Sequence, residues 1–179
     1  MMDTGLLRIW GMRALFVLIA LVILFFHLLP LDLSPSRWAA PDILVAMTFA
    51  WAVRRPDYVP ILLIAIVMLL ADMLLQRPPG LWSVLVVCAA EWLKSRDRRD
   101  RETTFVLEWL TFAGVLIVIT ALYRTVMMVL ILAPGTLTLS VIQVAATVAF
   151  YPVVVGVSYV LFGVRRAAPG DVDRLGRAI

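Results

Sequence analysis

Long apolar runs alternate along this chain with short breaks that are polar or rich in Pro and Gly. Six runs are distinguished, at about 12–29, 38–53, 58–75, 81–93, 105–132 and 137–164, followed by a basic tail over 165–179. An apolar run of this kind is a span of bilayer, so the pattern predicts an all-α, polytopic membrane protein with six transmembrane helices. The second and fourth runs are short. Even counted from Trp38, the second gives roughly 24 Å of helix, less than the hydrocarbon thickness. It is expected to be either a short span shielded by its neighbours or one arm of a re-entrant hairpin.

The breaks carry recognisable stop signals. Arg54-Arg55-Pro56-Asp57 separates the second run from the third, Gln76-Arg77-Pro78-Pro79-Gly80 the third from the fourth, and Ala133-Pro134-Gly135 the fifth from the sixth. No helix continues through such Pro-Gly sequences. Pro152 is expected to kink the last run. The first run has a basic start, but it is longer than a signal-peptide core and lacks a good cleavage context, so an uncleaved anchor is expected.

Composition agrees with this reading. The chain is 63% hydrophobic and 16% charged, where a soluble domain is nearer half apolar and a quarter charged. The excess is too large for a buried core. A single cysteine, Cys88, rules out an internal disulfide, and with His27 as the only histidine there is no thiolate or imidazole cluster for a metal. No cofactor is expected. The net charge of +4 does not signal nucleic acid, because the basic residues lie between apolar runs.

With six spans, Arg8, Arg13, Arg54, Arg55, Lys94, Arg96, Arg98, Arg99, Arg101, Arg165, Arg166, Arg174 and Arg177 fall on one side, and Arg37 and Arg77 on the other. Positive residues mark the cytoplasmic face, so both termini are expected there. The run Lys94–Arg101 is read as a solvated loop meeting anionic lipid. Glu91 is expected to reach water or this loop. Trp10, Trp38, Trp82, Trp92 and Trp109 lie near predicted span ends, as interfacial anchors do.

Five polar residues then fall in the outer half of the membrane: His27, Asp42, Asp72, Arg124 and Gln143. An acid inside a span is costly enough to need a reason. Three readings are open for Asp72 and Arg124. They pair and hold spans three and five together, they reach the interface separately, or they line an ion or substrate path. Asp42 has an explanation of its own, since a carboxylate is favoured at a helix N-terminus. Ala46/Ala50 and Ala145/Ala149 are spaced one turn apart, a pattern that suits docking of a partner helix. There is no phosphate loop, nucleophile elbow or His-Glu-x-x-His, which weakens any enzyme reading.

Pro41-Asp42, apolar sequence to Trp51, Pro56, Asp72 in the next span and Pro79-Gly80-Leu81 together resemble the rod shape-determining protein MreD family. The length and the six apolar runs are also similar to that family. One departure is the lack of a glycine shortly before the acid, in Val67–Leu70. The resemblance implies a non-enzymatic inner-membrane component of the bacterial cell-elongation machinery. It would work with MreC, with the actin-like MreB, and with the synthase pair of RodA and its penicillin-binding partner. It also implies a fold similar to the substrate-binding subunits of energy-coupling-factor transporters. The alternative readings are a subunit of a small-molecule, vitamin-type transporter and, behind it, a membrane enzyme relying on Asp42 and His27.

Overall fold

The computed structural model describes residues 4–29, 39–99, 104–133 and 135–164. Trp38 and Arg37, the end of the basic run at Asp100 and Arg101, and the tail over 165–179 lie outside the described residues.

Each apolar run contains one helix: α1 (Thr4–Leu28), α2 (Ile43–Arg54), α3 (Ile61–Leu74), α4 (Leu81–Arg99), α5 (Phe105–Val129) and α6 (Leu137–Phe162). A short 3-10 turn, Pro56–Tyr58, joins α2 to α3. Residues Gly5–Leu28, Phe105–Val129 and Leu137–Phe162 are each long and apolar enough to cross a membrane. α2 and α3 are shorter apolar helices of 12 and 14 residues, about 18 and 21 Å long.

Helix boundaries differ from expectation where polar side chains find partners inside the chain. α3 is shorter than the expected span because Tyr58 belongs to the 3-10 turn and Pro60 stands at the N-cap. α4 does not stop at Leu93 but continues through the basic segment to Arg99. Lys94 is 5% exposed. Its Nζ donates to Val59 O and Glu91 Oε1, both at 2.7 Å, and the arginines of the segment are good helix formers. Glu91 thus meets the first residue of the basic run.

α2 is the central element. Every residue from Leu44 to Val53 is buried, and the helix packs chiefly on α6 and α4. It is therefore a short helix shielded by its neighbours. Ala46 and Ala50 are 1% and 0% exposed, so the close approach they permit is made to the chain's own helices. This corrects their expected role as a docking face for a partner. Trp51 fills the middle of the core between Phe16 and Phe162, at ring distances of 5.6 and 5.9 Å. Its indole N–H donates to Ser158 Oγ at 3.1 Å.

The opposite surface is apolar. Leu18, Val22, Phe25, Phe26, Ile117, Val118, Val153 and Val160 are all exposed, more than a water-facing surface tolerates and what hydrocarbon requires. Pro152 lies inside a continuous α6. Lacking an N–H, it cannot bond the carbonyl four residues back, at Val148. That carbonyl instead accepts the indole N–H of Trp109 at 2.8 Å, so α5 supplies the missing donor.

Candidate functional site

Polar contacts gather at the two ends of the bundle. At one end, Arg54 closes α2 and Glu108 opens α5. Arg54 Nε and Nη2 donate to the two carboxylate oxygens at 3.3 and 3.2 Å, and Tyr151 of α6 donates its hydroxyl to Oε1 at 2.8 Å. Glu108 is buried, at 6% exposure, so this ion pair ties three helices together out of water. Nearby, Arg13 of α1 donates twice to Asp57 O, at 3.1 and 3.0 Å.

The other end holds the polar residues singled out in sequence, and Asp72 is its organising group. Just past α3 and its C-cap Leu75, Gln76 has a φ of 54° that lets Arg77 N reach back to Asp72 O at 2.9 Å. The side chain of the same residue points onward to α4. Asp72 Oδ2 accepts from Gly80 N at 3.1 Å, Ser83 N at 3.1 Å and Ser83 Oγ at 2.7 Å. Gly80, at φ 88°, sits in a conformation that glycine adopts without strain. The first turn of α4 would otherwise leave its N–H groups unsatisfied in an apolar setting. A carboxylate there satisfies them and is favoured by the helix dipole.

Asp72 is 0% exposed, and all three of its side-chain bonds go to Gly80 and Ser83. Of the three open readings, the Asp72–Arg124 pair gives way to a cap, and Asp72 does not reach the interface either. Its Oδ1 and the indole nitrogen of Trp82 are buried without a hydrogen-bond partner. Arg124 donates to Ser140 Oγ at 2.6 Å and to Gly135 O at 3.2 Å, which joins α5 to the start of α6.

Asp42 caps α2 as expected, accepting from Val45 N at 3.1 Å. Its own backbone N–H donates to Thr147 Oγ1 of α6 at 2.9 Å, and Arg77 approaches its Oδ2 at 3.9 Å. Arg77 also lies over the Trp82 ring at 5.7 Å. Trp82 is buried, at 8% exposure, edge-on to Tyr123, and so is not the interfacial anchor expected of it. Trp10 and Trp92 are exposed.

These groups surround a cavity of about 110 Å³ lined by Asp42, Arg77, Trp82, Thr120, Tyr123, Arg124, Ser140, Gln143 and Thr147, with Leu116 and Val144. Asp42, Arg124 and Gln143 are thus brought together. Asp72 is held behind Trp82 and Ser83, and exposed His27 lies to one side, on a small cleft shared with Asp42 and Arg77. Sequence reasoning missed Thr120, Ser140, Thr147 and Tyr123. The signal available was their position at the same predicted depth as Arg124.

Chemically the cavity offers hydrogen-bond donors and two guanidiniums against one carboxylate. Among the described residues no three His, Cys, Asp or Glu side chains come together to hold a metal. Comparison with protein-family models finds no match, and neither a curated protein nor a solved structure matches the chain.

Proposed function

We propose that the chain is a non-enzymatic, six-span component of the bacterial cell-elongation complex in the inner membrane, with the Arg54 end and both termini in the cytoplasm. One observation supports this most. The residues that carry the resemblance to the MreD family serve the packing and the turns of α2, α3 and α4. Asp42 caps α2, Trp51 fills its core, Pro56 opens the connecting turn, and Asp72 caps α4 at Gly80. An intramembrane acid used as a helix cap belongs to a scaffold more naturally than to a transport path.

A scaffold with little mass outside the bilayer meets partners through its lipid-facing helices. Two open grooves of about 610 Å³ flank α5. Ala89, Cys88 and Gly114 line the one shared with α4, and Ala145 and Ala149 the one shared with α6. Small residues allow a partner helix to approach closely. We assign the single span of MreC to the α4–α5 groove. A Cβ added at Gly114 meets nothing within 4 Å and the position is exposed, so Gly114→Leu is expected to fold yet recover less MreC in a pull-down. Full recovery with Gly114→Leu would remove the docking role.

The polar cavity favours a second reading, the substrate-binding subunit of a small-molecule transporter. Purified protein that retains a vitamin-like compound, and a strain that needs it when the protein is absent, would put that reading first.

A further inference from the structure

Four residues belong to both the polar cavity and the α5–α6 groove: Thr120, Arg124, Ser140 and Val144. The cavity therefore adjoins a lipid-facing channel rather than standing as an isolated pocket. The two halves differ in chemistry. The groove is almost wholly apolar and runs along α5 from Trp109 to Arg124, about 22 Å at the helical rise. One leaflet of the hydrocarbon core is about 15 Å, so the groove holds an acyl chain along its full depth. At its end the lining turns polar and positive, with Arg77 and Arg124 against Asp42.

We propose that this composite site binds one membrane lipid with an anionic phosphate headgroup. The phosphate sits at Arg124 and Ser140, and a chain lies between α5 and α6. The proposal rests on the reading of the chain as membrane-spanning, not on its role in cell elongation. Charge complementarity selects the occupant: guanidinium groups match phosphate oxygens in charge and in fork geometry, while an apolar partner helix leaves the polar end unused. Ser140 Oγ and Gly135 O hold the Arg124 guanidinium at the mouth of the groove. Ala113, Ala121, Ala145 and Ala149 keep its floor low enough for a chain to lie against the helices.

The test is native mass spectrometry of the full chain released from detergent, after equilibration with palmitoyl-oleoyl phosphatidylglycerol or the matching phosphatidylcholine. Wild-type protein is expected to retain one phosphatidylglycerol with at least about a tenfold preference. Arg124→Gln should lower that preference to near unity, and Ala145→Trp should remove the bound lipid of either kind. Arg96→Gln, at the end of the other groove, should change neither. Thermal melts of each variant establish that it is folded, and Ala145→Trp, an exposed position, keeps the test intact should Arg124→Gln fail. Equal retention of the two lipids by wild type would overturn the proposal. So would unchanged retention in Ala145→Trp, or equally tight binding of glycerol phosphate, which carries the headgroup anion without chains. Loss of MreC recovery in Ala145→Trp with lipid retention intact would give the groove to a partner helix instead. Because the readout is lipid retention in purified protein, its failure is separable from failure of the elongation reading.

Discussion

Asp72 in α3 and Ser83 in α4 are bonded twice, with Ser83 N at 3.1 Å and Ser83 Oγ at 2.7 Å from the same carboxylate oxygen. The backbone carbonyl of Asp72 meanwhile closes the end of its own helix through Arg77 N. One residue thus terminates α3 and starts α4. The turn between them carries Pro78, Pro79 and Gly80 and holds few donors of its own. Charge-assisted bonds of this sort are about twice as strong as neutral ones.

Removing the carboxylate leaves the N–H groups of Gly80 and Ser83 without an acceptor. Asp72→Ala is expected to cost about 1–3 kcal/mol, seen as a lower melting temperature in detergent and lower abundance in cells. Asp72→Asn keeps an acceptor oxygen without the charge and should fall between the two. Equal stability of wild type and Asp72→Ala would remove the capping role.

The Arg54–Glu108 pair is a second joint, linking α2, α5 and α6 through Tyr151. Breaking a buried pair from one side leaves a charge without compensation. Glu108→Ala is therefore expected to destabilise by about 3–5 kcal/mol. The double variant Arg54→Met/Glu108→Leu should recover much of that loss, because it removes both desolvation penalties. A double-mutant cycle on chemical denaturation checks the coupling, and simple additivity would contradict it.

Much of this fold is legible in the sequence, because a lipid-facing helix needs only length and apolarity to declare itself. The interior is not. Ala46 and Ala50 announce a close helix contact, but every residue of α2 from Leu44 to Val53 is buried, so no polar face marks which way they point. Asp72 announces itself as an acid with a purpose. Its partners, though, are mostly backbone N–H groups beyond a turn, and these leave no mark in sequence except Ser83. Arg54 and Glu108 are opposite charges at the same predicted end of the second and fifth runs, but nothing in the order of the runs sets those two side by side. Lys94 reads as one of a basic run, yet one of its two acceptors is a backbone carbonyl 35 residues away.

Trp109 answers the gap that Pro152 leaves in α6. Trp109→Phe keeps most of the ring but withdraws the donor from Val148 O. In an apolar setting that carbonyl becomes an unsatisfied acceptor, at a cost of about 1–3 kcal/mol. Adding Pro152→Ala restores a helical donor to Val148 O, so the double variant should be more stable than Trp109→Phe alone. Melting temperatures of the three proteins decide the point.

Ile131, after the last turn of α5, has φ 58° and is 93% exposed. Leu132 N returns to Met127 O at 2.9 Å, the closing bond of a left-handed helix end. A β-branched residue is strained in that conformation by about 1–2 kcal/mol. Ile131→Gly relieves the strain and loses almost no packing. Part of the gain is offset by glycine's freedom in the unfolded chain, so a net increase of about 0.5–1 kcal/mol is expected. A drop in melting temperature would contradict this account of the turn.

The proposed role in bacterial cell elongation calls first for depletion of the protein in its native host and imaging of the cells. In a rod-shaped host, rounding, swelling and lysis with loss of ordered side-wall synthesis are expected. Cells that keep their shape but grow only with an added nutrient would contradict it and give first place to the transporter reading.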